Sequence, residues 1–161
     1  MTNSAIDTIV YINSAAGLND FIAELCNEKQ IAFDLEADSM FHFKEKICLI
    51  QAATGTSSYI IDPLPIPDLS PLSQILSDPN IVKIFHGADY DVRSLYRDYQ
   101  IALTNLFDTE LASRFLGNAE TGLNTVLKNR FNITLEKKYQ KKDWSQRPLP
   151  GPMIEYAAKD V

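Results

Sequence analysis

Along the first half of the chain, apolar positions switch repeatedly between a period of two and a period of three to four. "DTIVYI" (7–12) is a short β-rich run, and "AAGLNDFIAELCNEK" (15–29) places Leu18, Phe21, Ile22 and Leu25 on one helical face. "QIAFDLEA" (30–37), "KICLIQAAT" (46–54) and "SSYIID" (57–62) read as three strands on short turns, which predicts an antiparallel meander. After a Pro-rich loop over 63–71, "SPLSQILSD" reads as a helix capped by Ser70 with Pro71 in its first turn. "NIVKIFHG" (80–87) is a further strand ending at Gly87. "ADYDVRSLYRDYQ" (88–100) then carries Val92, Leu95, Tyr96 and Tyr99 at helical spacing.

The second half is mainly helical. "DTELASRFLG" (108–117) ends at a cap-like Gly117, and "GLNTVLKNRF" (122–131) follows. A long polar stretch over 132–151 leads to "GPMIEYAAKDV", a helix opened by Pro152 and stopping in mid-pattern at Val161. The pattern predicts a single α/β domain with a mixed sheet over 1–161, truncated at its C-terminus.

Composition narrows the class. The 161 residues are 45% hydrophobic and 22% charged, which is globular rather than disordered, and enough to bury a core without staples. Cys26 and Cys48 lack any CxxC partner, so zinc and a disulfide framework are both disfavoured. Apolar runs fall far short of the ~20 residues that span a bilayer. No charged-then-apolar leader precedes a small-residue cleavage site. A soluble, cytoplasmic protein without membrane partners is the expectation.

The net charge of −6 argues at first against a nucleic-acid partner. Its distribution argues the other way: residues 1–127 balance to −10 and residues 128–147 to +5. Within the basic stretch, Lys137, Lys138, Lys141, Lys142 and Arg147 interleave with Phe131, Tyr139 and Trp144. Such a mixture can hold phosphates and stack bases; it also fits a solvated loop with no ligand. Lys137, Lys138, Lys141, Lys142, Trp144 and Arg147 are the candidate substrate-binding residues.

The acidic side chains carry more information. Asp34 and Glu36 alternate with Phe33 and Leu35, so both carboxylates leave one face of a strand. Two acids that close repel unless a cation neutralises them, and hard divalent ions prefer oxygen ligands. The same pair also fits two solvated acids on an outward face. Asp91 sits in the first turn of a helix after the strand that ends at Gly87, where an acid simply complements the helix dipole. Tyr156 and Asp160 stand four apart on the last helix and share a face.

In this order, an Asp-x-Glu strand, an Asp after a strand–Gly turn and a late Tyr-x-x-x-Asp resemble the four-carboxylate 3′–5′ exonuclease superfamily. The tyrosine branch is indicated, because the histidine branch would need His where this chain has Glu155. "FDLEADS" with "ICLIQAAT", "KIFHGADYDVRSL", "LFDTELASRFLG" and "KKYQKKDWSQRPLPGPMIEYAAKDV" look like ribonuclease D and the related exosome-associated nuclease over about 30–161. Full-length ribonuclease D carries helical nucleic-acid-binding domains beyond the nuclease domain, and none is present within these residues.

The resemblance implies an RNase H-like fold, with a five-stranded mixed central sheet flanked by helices. It implies that Asp34, Glu36, Asp91 and Asp160 hold two divalent cations, Mg²⁺ or Mn²⁺, and that Tyr156 orients the attacking water. The reaction implied is hydrolysis at the 3′ end of RNA or single-stranded DNA, releasing nucleoside 5′-monophosphates. His42 and His86 read as a turn histidine and a satisfied strand-end histidine, and Asp108 as a helix N-cap. Asp143, Trp144 and Arg147 match the family pattern and fit helix packing and positioning as well as substrate contact. Two other readings stand beside this one: a non-catalytic nucleic-acid-binding domain, and a proofreading exonuclease domain of a DNA polymerase. A Rossmann domain is excluded by the absence of Gly-x-Gly-x-x-Gly.

Overall fold

A computed structural model describes residues 8–161. The predicted run at 7–12 forms β1 (Thr8–Ile12), and Asp7 lies outside the described residues. Then come α1 (Ala15–Leu25), β2 (Gln30–Ala37), β3 (Ile47–Ala53) and β4 (Ser57–Ile61). A 3₁₀ turn over Ser70–Leu72 runs into α2 (Ser73–Leu76), followed by β5 (Val82–Phe85) and α3 (Asp89–Tyr99). The remainder is β6 (Leu106–Asp108), α4 (Thr109–Phe115), α5 (Leu123–Phe131) and α6 (Gly151–Ala157).

The strands form one mixed sheet in the order β1-β4-β3-β2-β5-β6. β2, β3 and β4 make the predicted antiparallel meander, while β1 joins β4, β5 joins β2 and β6 joins β5 in parallel. The sheet therefore has six strands where five were expected. The extra one, β6, spans three residues, too few for an alternating pattern to register. Its partner β5 fixes it, with Ile84 opposite Phe107.

Both faces of the sheet are covered. On one, Ile31, Phe33, Leu35 and Ile50 pack with Leu18, Phe21, Ile22 and Leu25 of α1 and with Leu72, Ile75 and Leu76. On the other, Cys48, Leu49 and Ile60 meet Trp144, Leu149, Met153, Tyr156 and Ala157. β3 is buried on both faces, which is why "ICLIQAA" reads as continuous rather than alternating.

Two helix expectations need correction. Ser70 does not cap its helix; it is the first residue of the 3₁₀ turn, and Asp68 accepts from its backbone N–H and its hydroxyl. Helical spacing puts Tyr96 on the apolar face of α3, yet its side chain is exposed, because Leu95 and Ser94 turn inward instead.

Candidate active site

β2 supplies the first two acids. Phe33 and Leu35 point into the α1 side of the core, so alternation sends Asp34 and Glu36 to the opposite face. There Asp34 lies across from Gln51 of β3, and Glu36 across from Leu49. Gln51 is fully buried with neither amide atom hydrogen-bonded, beside the acids that the "LIQ" segment accompanies in sequence.

α6 brings the other half of the site. Leu149, Met153, Tyr156 and Ala157 dock on Cys48, Leu49 and Ile60, which lays the helix over the same face of the sheet. The helix ends at Ala157, and Asp160 sits in the turn beyond it, where its N–H donates to the Ala157 carbonyl at 3.3 Å. The expected helical Tyr-x-x-x-Asp pair is thus a helix residue followed by a turn residue. Even so, one carboxylate oxygen from each of Asp34, Glu36 and Asp160 lies within 4.8 Å of the others.

Asp91 approaches from α3. The β5–α3 turn is made by Gly87 at φ 78°, a left-handed conformation that favours glycine. A Cβ there would also meet the Glu110 carboxylate at 2.9 Å. Asp108 locks this turn: it caps α4 through the Glu110 and Leu111 N–H groups and accepts from Gly87 and Ala88 at 3.0 and 2.9 Å. The sequence pattern identifies the cap but not the second pair of donors. Asp91 itself is buried, outside the close triplet of oxygens.

The electrostatics follow from this crowding. Burial, then the charges of Asp91 and Asp160, push Asp34 up to about 8. Burial, then Asp34, Asp160 and Asp91, push Glu36 up to about 9. Asp91 rises to about 6, chiefly by burial. Asp160 is raised by burial against the lowering effect of the Tyr156 hydroxyl. Among the described residues no Lys, Arg or His lies within ion-pair distance of these four acids. A tight, unneutralised set of carboxylate oxygens fits a hard divalent cation and offers nothing to a soft one.

Asp34 and Asp160 open onto a cleft of about 480 Å³ whose walls include Phe33, His86, Asn124, Lys137 and Tyr156. That volume is within the range of small-molecule sites. A second hollow of about 370 Å³ shares Tyr156 and Asp160 and is lined by Lys138 and Lys159. The basic stretch is therefore divided: Lys137 and Lys138 reach the site, whereas Lys141 and Lys142 are exposed and line neither hollow.

Of the two readings open for Trp144 and Arg147, substrate contact and helix packing, the structure supports packing. Trp144 is only 1% exposed and packs against the Tyr156 ring at a centroid distance of 6.3 Å, so no face is left for a base. Arg147 donates twice to Asp62, at 2.6 and 2.7 Å, and also to the carbonyls of Cys48, Trp144 and Gln146. Both hold the segment that carries α6. The segment's spacing could not reveal this, because Asp62 is 85 residues away along the chain. His86 meets Thr109 at 2.9 Å through Nδ1, while its Nε2 is buried without a partner; His42 lies in a turn against Ser145 at 3.2 Å.

A family model described as 3′–5′ exonuclease matches residues 9–161. Human exosome complex component 10 is 40% identical over 152 residues, covering 94% of this chain and 17% of its own length. The exosome complex exonuclease RRP6 of Saccharomyces cerevisiae is 36% identical over 153 residues, covering 94% of this chain and 21% of its own length. The chain thus spans about a fifth of the curated relatives it matches. Among solved structures, the catalytic core of Trypanosoma brucei RRP6 superposes with a TM-score of 0.90 at 33% identity, covering all of this chain and 45% of the other. Escherichia coli RNase D, an exoribonuclease involved in structured RNA processing, superposes at 0.88 with 31% identity, over 94% of this chain and 40% of the other. The mixed sheet is thus the RNase H-like one the sequence implied, and with its acids gathered on one face this chain belongs to the 3′–5′ exonuclease family.

Proposed function

We propose that residues 1–161 form a single exonuclease domain that hydrolyses the phosphodiester bond at the 3′ end of RNA, releasing nucleoside 5′-monophosphates. The observation that carries this reading is the unneutralised oxygen cluster of Asp34, Glu36 and Asp160, two of which, Asp34 and Asp160, line a nucleotide-sized cleft. Asp34, Glu36, Asp91 and Asp160 would hold two Mg²⁺ or Mn²⁺ ions. When bound, such ions activate a water nucleophile and compensate charge on the leaving oxygen.

The chain's own residues do the rest. Burial and the neighbouring Asp160 raise the Tyr156 hydroxyl far above neutrality. It therefore stays protonated and acts as a hydrogen-bond donor that orients water or phosphate, not as a base. Its ring is fixed by Trp144 and by Tyr139, the latter at 5.6 Å, so the phenolic oxygen is held in place. Lys137, on the cleft wall, supplies positive charge to a phosphate, and Lys138 does so in the adjoining hollow.

A non-catalytic binding domain would gain nothing from buried acids that repel one another, and would repel phosphate as well. The polymerase proofreading reading is disfavoured by relatives whose names are those of an exosome exonuclease and an exoribonuclease. A reducing, cytoplasmic setting suits the free thiols of Cys26 and Cys48. The test is incubation of 3′-labelled and 5′-labelled RNA and single-stranded DNA with Mn²⁺ or EDTA. Stepwise loss from the 3′ end of RNA, dependent on metal and abolished by Asp34→Asn, is expected. Inactivity in Mn²⁺, or activity that survives Asp34→Asn, overturns the proposal.

A further inference from the structure

β2 does not stop at the carboxylates. Two residues after Glu36, about 7 Å along an extended strand, the chain enters a loop over 38–46 that carries Met40, Phe41 and Phe43 outward. Phe43 is fully exposed and Phe41 half exposed. Three large apolar side chains exposed within four residues are a candidate contact surface.

The loop is built, not slack. The buried Asp38 carboxylate accepts from the Lys46 N–H at 2.8 Å and pairs with the Lys46 ammonium. Its carbonyl accepts from the N–H groups of Phe41 and His42, at 2.9 and 3.0 Å. Glu45 accepts from the Tyr90 hydroxyl at 2.7 Å, next in sequence to Asp91, and pairs with Arg97. On the other side His42 reaches Ser145, just beyond the lysine-rich segment. The two phenylalanines are thus held out from a closed ring that is tied to α3 and to the basic stretch.

The order of features along β2 gives the direction. Ala32, Phe33 and Asp34 line the cleft, Glu36 follows, and the loop lies beyond. A strand whose 3′ nucleotide fills the cleft, with its scissile phosphate at the acids, leaves the site on the loop side. Lys44 lies in the loop, and Lys141 and Lys142 lead to the turn that His42 meets; all three are exposed. They complement a polyanion, and exposed aromatics on an ordered loop that also carries a cation are what binds single-stranded nucleic acid through its bases.

We propose that Phe41 and Phe43 form a stacking platform for unpaired bases of RNA upstream of the terminal nucleotide. This rests on the exonuclease reading above, and its test is independent of cleavage. Binding of the whole chain to a 5′-fluorescein oligoadenylate of roughly 12 nucleotides is followed by anisotropy in EDTA over a salt series. Phe41→Ala with Phe43→Ala is expected to raise Kd at least about thirtyfold while leaving the salt slope unchanged, since the loss is of base stacking, which releases no counterions. Phe43→Trp alone should bind at least as tightly as the wild type, and Phe43→Leu alone should bind more weakly. A double variant with wild-type affinity, or Leu performing as well as Trp, overturns the platform. Concentration-dependent sedimentation of the wild type that vanishes in the double variant, with RNA affinity unchanged, would assign the patch to a second copy instead. Nucleotide release in Mn²⁺ reports the proposed reaction separately, so either idea can fail alone.

Discussion

Replacing Arg147 by Ala distinguishes a structural arginine from a substrate ligand. Its guanidinium is 25% exposed and the Asp62 carboxylate it grips only 3%, joined by two charge-assisted hydrogen bonds of 2.6 and 2.7 Å. Three more donations tie Cys48 of β3 to Trp144 and Gln146. Truncation leaves the Asp62 carboxylate with only the Tyr11 hydroxyl and the Leu64 backbone N–H as donors, inside the protein. Stranding one member of a buried pair costs about 3–5 kcal/mol. For a chain this long each kcal/mol moves Tm by about 2–4 °C, so thermal melting should show a fall of about 6–20 °C. Arg147→Lys keeps the charge without the fork and should fall in between.

The pH dependence adds a sign. Despite its burial, the hydrogen bonds and charge of Arg147 hold Asp62 below the ordinary carboxylate range. Its contribution is therefore present above pH ~4 and is lost as pH falls through the depressed value. The gap between wild type and Arg147→Ala should be widest at neutral pH and close towards acid. Melting curves over a pH series, with RNA affinity measured on the same samples, decide the matter. An unchanged Tm together with a tenfold loss of RNA affinity would refute the structural argument and return Arg147 to the substrate.

Further outcomes follow from the site. Asp34 and Glu36 are raised to about 8 and about 9, so the metal-free folded chain retains protons that the unfolded chain releases above pH ~4; stability should fall from there to pH ~9. Mn²⁺ at about 100 times its Kd should add ~2.7 kcal/mol, and calorimetry should show the falling slope flatten as the metal takes the place of the protons. Tyr156→Phe keeps the packing on Trp144 and Tyr139 and should change stability by about 1 kcal/mol or less, while single-turnover nucleotide release slows at least tenfold. Asp108→Ala leaves the Gly87, Ala88, Glu110 and Leu111 N–H groups without their acceptor and should cost about 2–3 kcal/mol by denaturant titration, with Asp108→Asn intermediate. Changing Lys137, Lys138, Lys141 and Lys142 together to Ala should flatten the salt dependence of RNA binding, by about 0.7 in slope for each phosphate that is no longer neutralised.

Much of this protein was legible in its sequence, because the relevant interactions are local or periodic. Alternation in "IAFDLEA" alone puts Asp34 and Glu36 opposite the apolar face, and the spacing of Leu18, Phe21, Ile22 and Leu25 alone selects the buried side of α1. Asp108 shows itself as a cap for the same reason: the N–H groups it caps lie within three residues. What the sequence left undecided are the interactions between distant segments. β6 exists because β5 offers it an edge, not because three residues prefer to be extended. Trp144 and Arg147 fit substrate contact and helix packing equally well in sequence until the fold brings Asp62, Cys48 and Tyr156 against them. The raised affinity of Asp34 and Glu36 for protons has the same origin. Neither acid is unusual in its own strand; burial beneath α6, with Asp160 and Asp91 delivered from two other elements, makes them so. Local rules decide which way a side chain points, but dielectric and charge are sums over everything nearby, and only the tertiary structure sets what is near.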